Sequence, residues 1–293
     1  MKKIVLLLLA VLLIGSVDGF ARKKKLDNLF YCFNNAMRLP NAPTNLEDQA
    51  NLAKRLGYGG ISGSGEESYP AFRQALDKVG LAIPEIYISI KIDPGVPAYN
   101  PLLKDLIKDS NKRDLLLTLH LHSDQFMKNK EEGDLKFAAV LTELADYAAK
   151  YKVKLSVYPH FSFYCEDVDH ALKLVKMVNR PNLGVVVNLC HYLKVKGPAG
   201  IEQQLLKALP HLFMFSLCGA DTGDTKTYDW DRLIKPLGEG TYDPYPLVKL
   251  LKDNGYKGRI GLQCYNIKMD AEANLTKSMA TWNTYRERYA TGK

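Results

Sequence analysis

The chain has 293 residues, of which 46% are hydrophobic, and a net charge of +8 at neutral pH. This length suits one large domain or two small ones, and it allows a substantial buried core. A basic balance of this size is interpreted as a solubilising charge. The export predicted from the first residues argues against a nucleic-acid partner.

The first 21 residues are predicted to be a secretory signal peptide. Two lysines follow the initiating methionine, an almost wholly apolar run extends from Ile4 to Gly15, and small residues then offer a cleavage site. The run is shorter than the roughly 20 residues of a membrane-spanning helix, so we expect no membrane insertion after cleavage. An uncleaved anchor is the alternative. The expected product is periplasmic or extracellular, with residues 22–28 as a flexible lead-in and 29–293 as one domain.

Five cysteines follow the predicted signal peptide, and their odd number leaves at least one thiol free. An exported protein experiences conditions that permit disulfides. All except Cys165, however, lie in or at the end of apolar runs, where a thiol acts as a small core residue. We therefore expect no disulfide framework, and no Cys/His spacing typical of a metal site is present.

Eight apolar runs are predicted to be strands, with amphipathic helices between them. In chain order, the strands are Leu29–Phe33, Gly59–Ser62, Ala82–Ile90, Leu115–Leu121, Val153–Tyr158, Leu183–Leu189, Leu212–Leu217 and Arg259–Gln263. The clearest helices are Leu135–Tyr151, Asp169–Val178, Gln203–Leu209 and Tyr245–Asn254. Eight such units fit a single (β/α)8 TIM barrel of about 250 residues or more. The alternative, an open doubly wound sheet, is disfavoured because no GxGxxG follows the first strand.

Polar side chains follow the predicted strands at their carboxyl ends, where barrel active sites lie. Four of the six histidines lie at these ends, and the side chains of Tyr158 and His160 share one face of their strand. The candidate residues at strand ends are Asn34, Glu66, His120, His122, Tyr158, His160, Asn188, His191 and Gln263. The long polar stretch Thr222–Tyr242 adds Trp230, whose ring suits stacking on a sugar. Glu85 lies inside the third run, where we expect it to be buried and to bond to a neighbour.

The chain resembles the xylose isomerase-like barrel superfamily over residues 29–285. The superfamily includes sugar-phosphate isomerases and epimerases, ketose 3-epimerases and endonuclease IV. The resemblance is carried by Leu52–Ile61 (LAKRLGYGGI), Asn188–His191 (NLCH) and Pro236–Asp243 (PLGEGTYD). It implies a divalent metal held by Glu, Asp, His and Glu on the fifth to eighth strands.

This chain departs from that implied ligand set. The four positions match Tyr158, Asn188, Ser216 and Gln263, so the chain is identified as a divergent member without the usual metal-binding carboxylates. Carboxylate charge is the main attraction for a hard or borderline divalent ion. We therefore predict no cofactor. A weakly held Mn²⁺, Co²⁺ or Zn²⁺ at His122, His160 and His191 is the alternative.

The missing carboxylates also remove the bases that usually move a proton at the sugar carbon. His160, His191 and Tyr158 are therefore predicted to be catalytic, because imidazole titrates near neutral pH and a phenol can donate to a carbonyl. The predicted substrate-binding residues are Asn34, Glu66, His120, His122, Asn188, Trp230 and Gln263.

The leading functional prediction is an exported isomerase or epimerase that acts on an unphosphorylated sugar or keto-sugar. Two alternatives remain open, a sugar-binding barrel without catalysis and a lyase or hydratase that acts on 3-keto-glycosides. A DNA-repair nuclease shares the fold but needs a carboxylate-rich metal cluster, which the strand ends lack. The expected partner is a small-molecule carbohydrate, and the sequence does not indicate an oligomeric state.

Overall fold

Eight parallel strands form one sheet in a computed structural model that describes residues 24–111, 113–127 and 130–292. The predicted signal peptide lies outside the described residues. The strands are β1 (Phe30–Cys32), β2 (Gly63–Ser64), β3 (Glu85–Lys91), β4 (Leu116–His122), β5 (Lys154–Val157), β6 (Leu183–Asn188), β7 (Leu212–Leu217) and β8 (Arg259–Leu262). Their order in the sheet is β1-β8-β7-β6-β5-β4-β3-β2. The predicted single (β/α)8 barrel is confirmed.

The barrel closes between β1 and the segment that precedes β2. Cys32 bridges Ile61 in parallel, and its carbonyl accepts a hydrogen bond from the backbone N–H of Ser62 at 3.0 Å. The second strand was predicted at Gly59–Ser62, but regular pairing with β3 begins only at Gly63. The earlier residues form isolated bridges, and Gly60 lies so close to its bridge partner Ala82 that a Cβ atom there would collide with the Ala82 carbonyl.

Ten α-helices surround the sheet in the described part of the chain. They are α1 (Leu46–Arg55), α2 (Tyr69–Val79), α3 (Leu102–Asp109), α4 (Lys130–Ala149), α5 (Val168–Val178), α6 (Leu189–Lys196), α7 (Ile201–Ala208), α8 (Trp230–Leu233), α9 (Tyr245–Asp253) and α10 (Ala271–Thr291). The four helices predicted with bounds correspond to α4, α5, α7 and α9. Two short 3-10 helices, Asn34–Arg38 and Leu209–His211, complete the elements.

Side chains of β3 show how the core is divided. Ile86, Ile88 and Ile90 are fully buried between the sheet and the helices, whereas Glu85 and Tyr87 alternate with them and face the barrel interior. A separate small apolar cluster lies inside the barrel and comprises Tyr31, Phe33, Leu116, Tyr158, Val186 and Met214. Phe33 and Tyr158 of this cluster also line a cavity at the carboxyl ends of the strands.

The segment that precedes β1 packs against the barrel. Leu26 is buried, and the side-chain amide of Asn28 donates to the carbonyl of Gly258 at 2.7 Å. Part of the expected flexible lead-in is thus held in place at the amino-terminal end of β8. All five cysteines are buried free thiols, including Cys165. Within the described ranges, no helix combines the length and apolar character needed to cross a membrane.

Candidate functional site

A cavity of about 460 Å³ opens at the carboxyl ends of the strands, and its size is typical of small-molecule sites. Six of the residues predicted from the sequence line it: Asn34, Tyr158, His160, His191, Trp230 and Gln263. Aromatic rings, amides and hydroxyls supply most of the remaining surface. Among the described lining residues, Arg38 and Glu85 are the only Arg, Lys, Asp or Glu side chains.

The three predicted catalytic side chains converge on this cavity. The ring centroids of His160 and His191 are 3.9 Å apart, and the centroid of Tyr158 lies 6.3 Å and 6.0 Å from them. Burial lowers the pKa of His160 to about 4 and holds the pKa of His191 well below its ordinary value. Burial also raises the pKa of the Tyr158 phenol. All three groups are therefore neutral at neutral pH.

One backbone contact fixes the tautomer of His160. Its Nδ1 atom lies 2.7 Å from the carbonyl oxygen of Phe161. A carbonyl only accepts hydrogen bonds, so Nδ1 carries the proton and Nε2 keeps its lone pair. His160 therefore offers a proton acceptor to the cavity it lines.

Asn188 orients Tyr158. Its side-chain amide donates to the phenol oxygen, so the phenol hydrogen is free to donate elsewhere. The Asn188 carbonyl oxygen accepts from the backbone N–H of Cys190 at 3.1 Å and caps α6, which begins directly after β6. Asn188, which was predicted to bind substrate, is thus occupied by protein partners and does not line the main cavity.

The side-chain NH₂ group of Gln263 is the end of the amide that remains available to the cavity. Its side-chain oxygen accepts from the Asn35 amide and from the backbone N–H groups of Cys264 and Tyr265, at 3.0 and 3.1 Å for the latter two. These donors fix the amide orientation and leave the NH₂ group of Gln263 for a ligand. A hydroxyl or carbonyl oxygen is the complementary ligand group.

Three other predicted site residues lie outside the cavity. His120 is fully buried beneath Tyr158, with ring centroids 4.4 Å apart and nearly parallel rings. His122 packs against Phe163 at a centroid distance of 4.1 Å. Glu66 lines a separate groove with Arg73. The prediction that these residues bind substrate receives no support from their positions.

Several lining residues were not predicted to be part of the site, among them Arg38, Tyr87, Phe161 and Glu85. Tyr87 and Glu85 carried a readable signal, since they alternate with isoleucines along the third strand and must share its other face. The sequence carried no such signal for Arg38 and Phe161. Each lies beyond a strand end, in a segment whose path the sequence pattern does not determine.

The residues at the implied metal positions do not fit a divalent cation. The side-chain oxygens of Asn188 and Gln263 are occupied by N–H donors, and the phenol of Tyr158 is neutral. In the described ranges, no three His, Cys, Asp or Glu side chains are arranged to hold an ion together. The alternative metal ligands, His122, His160 and His191, do not form a site either. Phe163 stacks on His160 and also contacts His122.

Fold and cavity together define an α/β barrel with a polar small-molecule site at the carboxyl ends of its strands. The chain belongs to the xylose isomerase-like TIM barrel family, whose model matches residues 50–285. No curated protein matches the chain.

Solved structures of other proteins share the fold at low sequence identity. The IOLI protein with a bound zinc atom is 18% identical, with a TM-score of 0.70 over 89% of this chain and 98% of that chain. The 3-keto-D-glucoside 4-epimerase YcjR from E. coli is 13% identical, with a TM-score of 0.68 over 87% and 98%. The probable 3-DHS dehydratase AsbF from Bacillus anthracis is 12% identical, with a TM-score of 0.69 over 87% and 98%. At such identities the likeness shows the fold alone.

Proposed function

We propose that the protein is a carbohydrate-converting enzyme of isomerase or epimerase type that acts, after export, on an unphosphorylated sugar or keto-sugar. The observation that carries the proposal is the convergence of Tyr158, His160 and His191 on one cavity. An epimerase and a dehydratase among the similar folds are consistent with such chemistry. Arg38 is the one Arg or Lys side chain among the described residues that line the cavity. A phosphate group usually binds several donors, so this lining favours an unphosphorylated sugar.

In the proposed reaction, a proton leaves the carbon next to the sugar carbonyl. Nε2 of His160 accepts this proton, while the hydroxyl of Tyr158 donates a hydrogen bond to the carbonyl oxygen as negative charge develops there. Return of the proton to the former carbonyl carbon, with transfer of the neighbouring hydroxyl proton to the former carbonyl oxygen, completes an isomerisation. Return of a proton to the opposite face of the same carbon completes an epimerisation; this proton comes from a second group such as His191 after that group has taken a proton from solvent, and His160 releases its own proton to solvent.

A binding protein without catalysis is the second candidate, and one observation favours it. The pKa of His160 is about 4, so its imidazole is a weak base with little driving force for removal of a carbon-bound proton. Neutral amides and stacked rings would suffice for recognition of sugar hydroxyls. The lyase alternative shares the first proton transfer and then expels a leaving group.

Solvent deuterium exchange distinguishes the three functions. We would incubate the protein with aldoses, ketoses and 3-keto-glycosides in D₂O and follow the sugars by proton NMR. An isomerase or epimerase incorporates deuterium next to the carbonyl and yields a new sugar, and a lyase releases the group attached to the 3-keto-sugar. A binding protein is stabilised by a sugar that stays unchanged.

Matched histidine variants make this test specific. Replacement of both His160 and His191 by Ala is expected to abolish exchange. His211→Ala, which alters a histidine far from the cavity at the start of β7, is the control and is expected to retain it. Undiminished exchange in the double variant would refute the acid–base roles.

A further inference from the structure

The floor of the cavity carries a carboxyl group that the proposed reaction does not use. Glu85 begins β3, and its side chain faces the barrel interior on the same face as Tyr87. The two residues are two positions apart on the strand, so Glu85 lies roughly 7 Å deeper in the barrel. Glu85 is only 2% exposed, yet it lines the same cavity as Tyr158 and His160.

One carboxyl oxygen of Glu85 has no protein partner among the described residues. The hydroxyls of Tyr31 and Thr118 lie near the carboxyl group and favour its ionised form, but they donate to the sulfur of Met214 and, at 3.2 Å, to the carbonyl of Ile86. The Oε2 atom of Glu85 is buried and unpaired. A buried acceptor without a partner destabilises the protein, and a ligand hydroxyl would supply the missing hydrogen bond.

Among the described residues no cation forms an ion pair with Glu85, although Arg259 attracts its carboxylate from a distance. The guanidinium of Arg259, on β8, donates to the side chain of Asp114 at 2.6 Å and to the carbonyls of Pro84 and Asp114. The remaining titratable groups that face Glu85 are phenols on β1, β3 and β5, namely Tyr31, Tyr87 and Tyr158. Burial outweighs these contacts and raises the pKa of Glu85 to about 7.

Glu85 lies beside Leu116 of the apolar interior cluster, but the barrel interior above it is unusually polar. TIM barrels generally fill this space with bulky branched side chains. Here the inward positions of β5 and β7 include Ser156 and Ser216, whose buried hydroxyls have no partner in the described structure. Both ring nitrogens of His120 likewise have no hydrogen-bond partner in the described structure. This part of the barrel interior is thus polar and offers hydrogen-bonding partners to ligand hydroxyl groups.

We propose that Glu85 contacts the ligand directly and accepts a hydrogen bond from a hydroxyl at the inner end of the sugar. This inference rests on the proposed function and specifies its substrate class. The end of the ligand that enters first carries a free, uncharged hydroxyl, while the reacting carbonyl lies nearer to Tyr158 and His160. Above pH 7, where Glu85 is ionised, a carboxylate at the inner end would be repelled, so a uronic acid is excluded in that orientation.

The test combines one reporter at the mouth of the cavity with one at its floor. The aldoses, ketoses and 3-keto-glycosides of the exchange experiment serve as probes, with D-xylose, D-glucose and D-fructose among them. Trp230 fluorescence reports binding at the mouth, with Trp230→Phe identifying its share of the signal. The ¹³C resonance of the Glu85 carboxyl carbon, assigned by its loss in Glu85→Gln, reports the floor.

We expect a sugar to quench Trp230 and to shift the Glu85 carboxyl resonance with the same saturation midpoint. At pH 8, where the Glu85 carboxyl group is ionised, Glu85→Gln should weaken binding at least tenfold, since a neutral amide replaces the charged acceptor. Glu67→Gln, at an exposed glutamate outside the cavity, should leave affinity unchanged. Glu85→Asp is the second variant if Glu85→Gln fails to fold, and the wild-type resonance is informative with either.

The two proposals fail in different ways. If a sugar quenches Trp230 while the Glu85 resonance stays fixed, the contact with Glu85 is refuted and the proposed carbohydrate function stands. If no sugar changes either signal, the carbohydrate function is refuted and the Glu85 contact falls with it.

Discussion

Individual side chains at the cavity are prepared by neighbours that the ligand does not touch. The Phe161 carbonyl selects the tautomer of His160, and the Asn188 amide leaves the Tyr158 hydroxyl free to donate. His120 supports the Tyr158 ring from below. Each of these contacts fixes the orientation of a side chain or the position of a proton. Replacement of a single polar atom should therefore lower the reaction rate more than the affinity for the substrate.

Tyr158→Phe tests this at the reacting oxygen. The variant keeps the ring and its stacking but removes the hydrogen that we expect to stabilise the developing charge. Deuterium exchange into the substrate should slow about 100-fold, with KM changed by less than about threefold. Tyr58→Phe is the matched control, because this buried tyrosine donates to the Leu275 carbonyl at 2.8 Å away from the cavity. Equal rates in the two variants would contradict the role of Tyr158.

Glu85 makes a second residue-level prediction, on stability against pH. Its pKa is about 7 in the folded protein and near 4.5 when unfolded, so the folded state binds this proton more tightly. The stabilisation is full below pH 4.5 and is lost as pH rises through 7, a change of about 3 kcal/mol. The buried histidines act in the opposite sense, but they are present in both the wild type and Glu85→Gln.

Urea unfolding at pH 4.5 and pH 8 measures this difference. The stability of the wild type relative to Glu85→Gln should fall by about 3 kcal/mol between the two values. A constant difference across the range would mean that the carboxyl group titrates normally, and Glu85 would then not be a buried group of the kind described.

At the level of elements, the loop between β7 and α9, residues 218–244, brings Trp230 to the cavity. Two antiparallel bridges, Gly219 with Lys235 and Ala220 with Tyr242, fold the loop onto the barrel. Trp230 then lies edge-on to His191 at a centroid distance of 5.4 Å. The loop therefore forms one wall of the site.

Gly240→Ala should loosen this wall. Gly240 has a φ of +83°, and a Cβ atom there would collide with the carbonyl of Ala220. Gly255→Ala is the matched control, since Gly255 has a φ of +82° with open space around it. The free energy of unfolding of both variants should fall by about 1 kcal/mol, because alanine disfavours a positive φ. Only Gly240→Ala should be destabilised further in urea unfolding, and only this variant should lose the fluorescence response of Trp230 to sugar. Equal destabilisation of the two variants would contradict the account of the loop.

Strand and helix positions were largely predictable, because buried parallel strands produce continuous apolar runs and surface helices produce a helical period. The second strand and α6 were harder. β2 has only two regularly paired residues and follows glycines without side chains, so its start leaves no pattern. α6 begins at the residue after β6, and a strand that passes straight into a helix offers no turn signal.

At the level of the whole molecule, strand-end chemistry predicted the centre of the site but not its boundary. Tyr158, His160, His191 and Gln263 meet as expected, since carboxyl ends of parallel strands share one rim. The depth of the cavity was not predictable, because it depends on which inward side chains are small. The occupation of Asn188 by protein partners was also hidden, since it depends on the start of a helix.

The central claim is that the proposed proton-transfer groups, Tyr158, His160 and His191, are neutral and act without a divalent cation. Deuterium exchange measured on chelator-treated protein, and again after addition of Mn²⁺, Co²⁺ or Zn²⁺, tests it most directly. We predict that the exchange rate for the responsive sugar is the same, within about twofold, in every sample. Exchange that disappears on chelation and returns with one of these ions would contradict the account.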